Sequence, residues 1–462
     1  MTDLFDEFRA ISAKEWKQKI QADLKGADYN ETLIYKSNEG IDVKPFYHQD
    51  TVKEGSLVPE NPSNWNISEK IYVASEKPSI EKIKNVLSRG TESLWLIIDS
   101  EKIDLNSILK EIDLENTPIF IELQFLSEAF ISKTLHFLKN KKHKVSFGID
   151  IIGNLAVSGN WYKNLQSDHE ILDKLISENS TTSLLSVDAS CYQNAGANIP
   201  QQIAYAISHA NEYFNHCSHV DVNSSLAKKP FKITFKTSIG SNYFFEIAKL
   251  KALRLIFETV SAEYDFGEIS MEILAFPTKR NKTLYDYNVN MLRTTTECMS
   301  AILGGSDSVC TAAYDEIYHK NNEFGDRIAR NQLLILKNES HFDQIENPAA
   351  GSYYLETLTQ ELAEKALEIF KDIEKGGGFL SQLKNGTIQR KIKESAEKEQ
   401  SDFEMENRIL VGTNKYEHSE DKMKNDLELY PFLKQKPRKT WIEPILEKRL
   451  AENSEQERLK RE

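Results

Sequence analysis

The stretch "FKITFKT" (231–237), followed by "AKLKALRLIFETVSAEY" (248–264) and then by "ISMEILAF" (269–276), decides the fold of this chain. The first and third pieces are short and rich in β-branched and aromatic residues, as strands are. The middle piece places apolar residues at spacings of three and four, the period of a helix with one buried face. Strand, helix, strand in that order is the unit of a parallel sheet covered by helices.

The unit recurs. "SLWLIID" (93–99), "TPIFIELQF" (117–125), "KVSFGID" (144–150), "SLLSVD" (183–188) and "DSVCTAA" (307–313) are runs of the same kind, most of them separated by helical patterns. Seven or eight units over roughly 250 residues favour a closed (β/α)8 barrel of the TIM type over an open doubly wound sheet. No glycine fingerprint follows the first strand, which leaves a dinucleotide-binding fold without support. Seven strands are secure; "GSYYLE" (351–356) is the candidate for the eighth.

Outside the barrel the texture changes. Residues 1–65 read as an arm. A helical pattern from Ala13 to Leu24, with Trp16 and Ile20 on one face, ends at Gly26, which can take the left-handed conformation that stops a helix. An extended piece, "EGIDVKPFYHQD", and a Pro-rich run, "VPENPSNW", follow, as in arms that lie across another domain or subunit. The barrel is assigned to 66–380, and 381–462 to a polar helical segment ending in a charged helix with no further domain behind it.

Composition excludes several functions. Of 462 residues, 40% are hydrophobic and 28% charged, enough for a packed core. A net charge of -13 argues against nucleic acid or an anionic membrane as partner. The basic run Lys139 to Lys144 is short and reads as a solvated helix end. No apolar run approaches the ~18 residues of a membrane helix. The N-terminus "MTDLFDEFRA" resembles no export or transit signal, and four cysteines without a CxxC pair suit a reducing compartment, so a cytoplasmic protein is expected.

The chemistry-bearing residues do not complete a site. Cys191, in "DASCYQNAGA" (188–197), follows a strand and is either a nucleophile with a lowered pKa or a small buried residue. His216, Cys217 and His219 offer metal-ligand atoms, but nothing completes a tetrahedral set. "LGG" (303–305) and "GGG" (376–378) lack the Lys-Ser/Thr of a phosphate loop and read as turns. Asp315 and Glu316 are adjacent and read as solvated surface. No catalytic, cofactor-binding or metal residue is assigned in this chain.

Several segments together resemble the adenosylcobalamin-dependent acyl-CoA mutases, methylmalonyl-CoA mutases in particular. They are "DLKGADY" with "EGIDVKPFY", "GSNYFFEIAKLKALRLIFE" (240–258), "NMLRTTTECMSAILGGSDSVCTAAYDE" (290–316), "RIARNQLLILKNES" (327–340), "NPAAGSYYLETLTQELAEKA" (347–366) and "LVGTNKY" (410–416). The resemblance runs from about residue 14 to 417 and implies the barrel with its preceding arm.

Departures from the family pattern define the kind of member. Where active chains read Arg-Gln-Tyr-Ala-Gly-Phe, this chain has "NISEKIYVASEKPS" (66–79). Cys191 stands where the family's catalytic histidine is expected, and a thiol does not replace an imidazole as an acid at neutral pH. "EILAFPTKRNKT" (272–283) replaces the segment whose arginine meets the substrate carboxylate. The Asp-x-His-x-x-Gly motif of the cobalamin domain is missing; "SDHE" (167–170) is its nearest text.

The resemblance therefore implies the degenerate small subunit of a heterodimeric mutase, paired 1:1 with a large subunit that binds adenosylcobalamin and acyl-CoA and does the chemistry. This chain itself would bind no cofactor. A barrel subunit of another split acyl-CoA mutase, and a stand-alone enzyme using Cys191, are the alternatives.

Overall fold

Eight parallel strands close into a barrel in the computed structural model, which describes residues 10–51, 64–179, 182–219, 231–267, 269–433 and 437–462. The strands are β1 (Asn66–Tyr72), β2 (Ser93–Ile98), β3 (Ile119–Leu123), β4 (Val145–Ile149), β5 (Ser183–Asp188), β6 (Phe231–Ile239), β7 (Ile269–Pro277) and β8 (Ser308–Cys310). Each pairs with its neighbour in sequence, and β8 closes the ring: Val309 lies opposite Ala275 on one side and Ile67 on the other. Seven strands fall on the seven expected runs, and the helix Tyr243–Ser261 on the helical pattern between two of them.

The eighth strand is a correction. "GSYYLE" is no strand: Ser352 caps the helix Tyr353–Lys375 by accepting a bond from Leu355 N–H. The missing strand is the first of the barrel, "NISEKIY". Strand side chains alternate between faces, and here only Ile67 and Ile71 point to the apolar layer, while Ser68, Lys70 and Tyr72 face the lumen.

That alternation gives the barrel two apolar shells. On β2, Leu94, Leu96 and Ile98 belong to the large cluster under the helices, whereas Trp95 and Ile97 form a separate lumen cluster with Phe120, Leu274, Phe276 and Cys310. Each fully buried Leu or Ile of the outer shell contributes ~1.5–3 kcal/mol.

The arm begins with the helix Ala13–Asp23, capped reciprocally by Ser12 and Glu15 and ended by Lys25 and Gly26 at φ of 51° and 99°. Trp16 is exposed and packs edge-on against Phe46, with ring centroids 6.3 Å apart. A two-stranded antiparallel ribbon, Tyr35–Lys36 with Asp42–Val43, follows, and the intervening Ile41 is buried in the main core. Residues 1–9 and the prolines of the run at 58–63 lie outside the described residues.

The last residues do not trail away from the barrel. They cross its C-terminal mouth, held by main-chain bonds: Trp441 and Ile442 N–H to Gly159 O, Ile445 N–H to Ala156 O, Lys448 N–H to Asn194 O, and Leu450 N–H to Arg280 O. The helix Glu452–Arg461 then docks with Glu452 and Glu455 buried.

Candidate functional site

In barrels of this type the chemistry is built at the C-terminal ends of the strands. Here that end holds a chamber of about 900 Å³, walled by Lys70, Trp95, Glu122, Asp188 and Lys236 from the strands and roofed by residues 429–433 and 445–449 of the tail. Below it the aromatic and aliphatic side chains of Trp95, Phe120 and Leu274 fill the lumen. Under that plug, at the opposite end, lies a well of about 330 Å³ lined by Ser68, Ser93, Ser146, Ser183, Thr234 and Ser308. The plug depends on a glycine: Gly148 sits where the β4–β5 register shifts, and a Cβ there would collide with the tip of the Phe120 ring.

The charges of the chamber come in closed groups. Lys236 Nζ lies 2.7 Å from both Glu122 Oε2 and Asp188 Oδ2 and 5.1 Å from the centroid of the Trp95 ring. Trp95 Nε1–H also donates to Glu122 Oε2 at 2.9 Å. Burial alone would lower the Lys236 pKa; the Asp188 and Glu122 carboxylates outweigh it and hold the ammonium well above its ordinary range. Lys70 pairs with Glu316 in the same way. Burial opposes both charges, and each partner outweighs it for the other, raising Lys70 and lowering Glu316.

Cys191 stands apart from this chamber. It is 2% exposed, its Sγ–H donates to Asp188 O at 3.1 Å, and its neighbours Ser190 and Asn194 line the cavity while it does not. Burial, reinforced by the charge of Asp188, pushes its thiol well above the usual cysteine range. That is the opposite of an activated nucleophile. Beside it a buried relay links the ends of β4 and β5: Tyr192 Oη to His209 Nδ1 at 3.0 Å, His209 Nε2 to Asp150 Oδ1 at 2.8 Å, and Asp188 N–H to Asp150 Oδ2 at 2.8 Å.

Other sequence candidates are scattered. His216 bonds Asp173 at 2.6 Å and packs against His169, and the His219 side chain lies outside the described residues. Among the described residues no group of three or more His, Cys, Asp or Glu could hold a metal. "LGG" and "GGG" are turns.

One expectation is corrected. Asp315 and Glu316 are not solvated surface: Asp315 is buried against Asn322 and His319, and Glu316 faces Lys70. The segment after β7 carries positive charge of its own. Lys279, Arg280 and Lys282 all line the chamber, but Glu447, Glu399 and Glu297 neutralise them at 3.0, 2.5 and 2.7 Å. Lys70, Glu122 and Lys236 were not singled out in the sequence; the signal available was an ionisable residue at a lumen-facing position of an otherwise apolar strand.

A closed (β/α)8 barrel with a charge-balanced chamber roofed by its own tail is the class of protein that the fold and site define. Residues 96–460 match the family model described as "Methylmalonyl-CoA mutase", and the chain belongs to that family. It is 32% identical over 448 residues to the "Methylmalonyl-CoA mutase small subunit" of Porphyromonas gingivalis, a match covering 89% of this chain and 71% of that one. The protein of the same name from Streptomyces virginiae is 26% identical, covering 84% and 67%. The "Methylmalonyl-CoA mutase large subunit" of Porphyromonas gingivalis is 31% identical over 237 residues, which span 50% of this chain and 33% of that one. No helix among the described residues is long and apolar enough to cross a membrane.

Proposed function

We propose that this chain is the non-catalytic small subunit of a heterodimeric methylmalonyl-CoA mutase. It would sit 1:1 in the cytoplasm beside a large subunit that interconverts (R)-methylmalonyl-CoA and succinyl-CoA. Adenosylcobalamin, which supplies the radical when bound, would belong to the large subunit. The observation that carries this reading is the roof: the tail lies over the strand ends where a barrel enzyme of this fold receives its substrate.

Two further features support it. No histidine is among the residues lining the chamber, so its donor set offers no imidazole to the cobalt of a corrin. The one candidate nucleophile, Cys191, is turned away from the cavity, which weighs against a stand-alone enzyme.

The arm is the proposed means of partner contact. Its exposed Trp16 and the ring of Phe46 offer aromatic anchors of the kind that dominate interfaces. Size-exclusion chromatography of the chain co-expressed with a large mutase subunit tests the proposal. A 1:1 complex is expected, weakened when residues 1–50 are deleted; a monomer that ignores the large subunit refutes the reading. The chain alone, titrated with adenosylcobalamin, should leave the visible spectrum of the cofactor unchanged.

A further inference from the structure

Residues 37–41 fasten the arm to its own barrel. Residues 37–41 form a closed turn in which Ser37 N–H donates to Ile41 O at 3.0 Å, Ile41 N–H to Ser37 Oγ at 3.1 Å, and Gly40, at φ 72°, to Ser37 O at 3.1 Å. The turn enters a cleft of about 350 Å³ between the first residues of the helices Ile199–His219 and Tyr243–Ser261 and one face of the helix Thr387–Glu404. There Asn38 Nδ2–H donates to Asp402 at 2.6 Å. Asn198 and Gln201 already cap the helix at Ile199 reciprocally, and the Ile199 N–H they leave over goes to Glu39 Oε2 at 2.6 Å. A carboxylate carried by the arm thus completes a helix start on the barrel.

We propose that this turn is a pH-dependent clip, tighter below neutrality and slacker above it, that sets how firmly the arm is held on its own barrel. The charges around Glu39 give the direction. Burial comes first and disfavours the carboxylate; the Ile199 bond and Arg408 favour it, and Glu246 and Glu399 oppose it. Arg408 and Arg280 are both drawn to Glu399, at 3.1 and 2.5 Å, and Lys391 to Glu394 at 2.8 Å. Lys398 lines the outer part of the cleft, and Lys365 lies beside Gly40.

The balance pushes Glu39 up to about 7 from 4.5. A docked arm therefore keeps a proton that a released arm gives up. The contribution of Glu39 to docking is full below about 4.5 and is lost as the pH rises through about 7. This inference does not rest on the subunit assignment.

Hydrogen exchange of the full chain, read by mass spectrometry on peptides covering 29–43 and corrected for intrinsic exchange, tests it. Protection at pH 8 should be at least about tenfold below that at pH 5.5 in the wild type. Glu39→Gln keeps an oxygen for the Ile199 N–H and removes the charge, so it should hold the low-pH protection at both values. Equal wild-type protection at the two pH values would overturn the clip. So would a Glu39→Gln variant with the wild-type pH response, or a response shared equally by barrel peptides covering 93–98.

Discussion

Phe120 on β3 and Gly148 on the adjacent β4 lie side by side on the lumen face, and the ring of one occupies the space that a side chain on the other would need. Gly148→Ala is expected to destabilise the fold by ~1–3 kcal/mol through overpacking of a filled site. Phe120→Ala should lose ~3–5 kcal/mol and join the chamber to the well beneath it. Urea unfolding measures both. A Gly148→Ala variant as stable as the wild type would mean that the plug is looser than its contacts imply.

Glu316 and Lys70 predict an acid dependence. The Glu316 pKa lies below 4.5 in the folded chain, so its contribution is present above 4.5 and lost as the pH falls through the lowered folded value. Glu316→Gln should lower stability by ~1–3 kcal/mol at pH 7, because Lys70 is left without its partner. Below the folded pKa of Glu316 the gap from wild type should narrow. Urea midpoints at the two extremes read it, and a gap that widens in acid would contradict the pairing.

Arg449 fastens the tail. It bonds Lys282 O at 2.9 Å and Pro431 O at 3.1 Å and pairs with the buried Glu455 at 2.7 Å. Arg449→Met leaves that carboxylate inside without its partner, a change that removes ~3–5 kcal/mol in comparable pairs. Denaturant midpoints should fall accordingly, and amide protection at Leu450 should fall with them.

Cys191 predicts silence. Cys191→Ala in the reconstituted complex should leave turnover within about threefold of wild type, well under 1.4 kcal/mol of barrier. In the native chain it should also resist alkylation at pH 8, its thiol being buried and raised. A hundredfold fall in turnover would restore the residue to the chemistry.

Seven strands were legible because their outward positions are apolar, and an apolar face is what periodicity detects. β1 was not, since its lumen face carries Ser68 and Lys70 and only two aliphatic residues mark the other side. The roof was illegible for a different reason. It is held mainly through backbone atoms, at Gly159, Ala156, Asn194 and Arg280, and a carbonyl leaves no trace in residue identity. The chamber charges fell between the two cases: Glu122 and Lys236 were visible as letters, but only closure of the ring brings β3 and β6 side chains within 2.7 Å. The position of Cys191 at a strand end was readable; the direction of its thiol was not.

The closed charge groups of the chamber also bear on how this sequence can drift. Lys236 is shared by two carboxylates from two different strands, so losing the lysine first leaves both without their cation in a confined space. Neutral replacement of the lysine should therefore be tolerated in combination with its carboxylates and rejected alone. Lys236→Met with Glu122→Gln and Asp188→Asn is expected to fold better than Lys236→Met alone. Divergence at this site would then proceed by compensated jumps, and epistasis would keep its ions in place after any chemical use for them had gone.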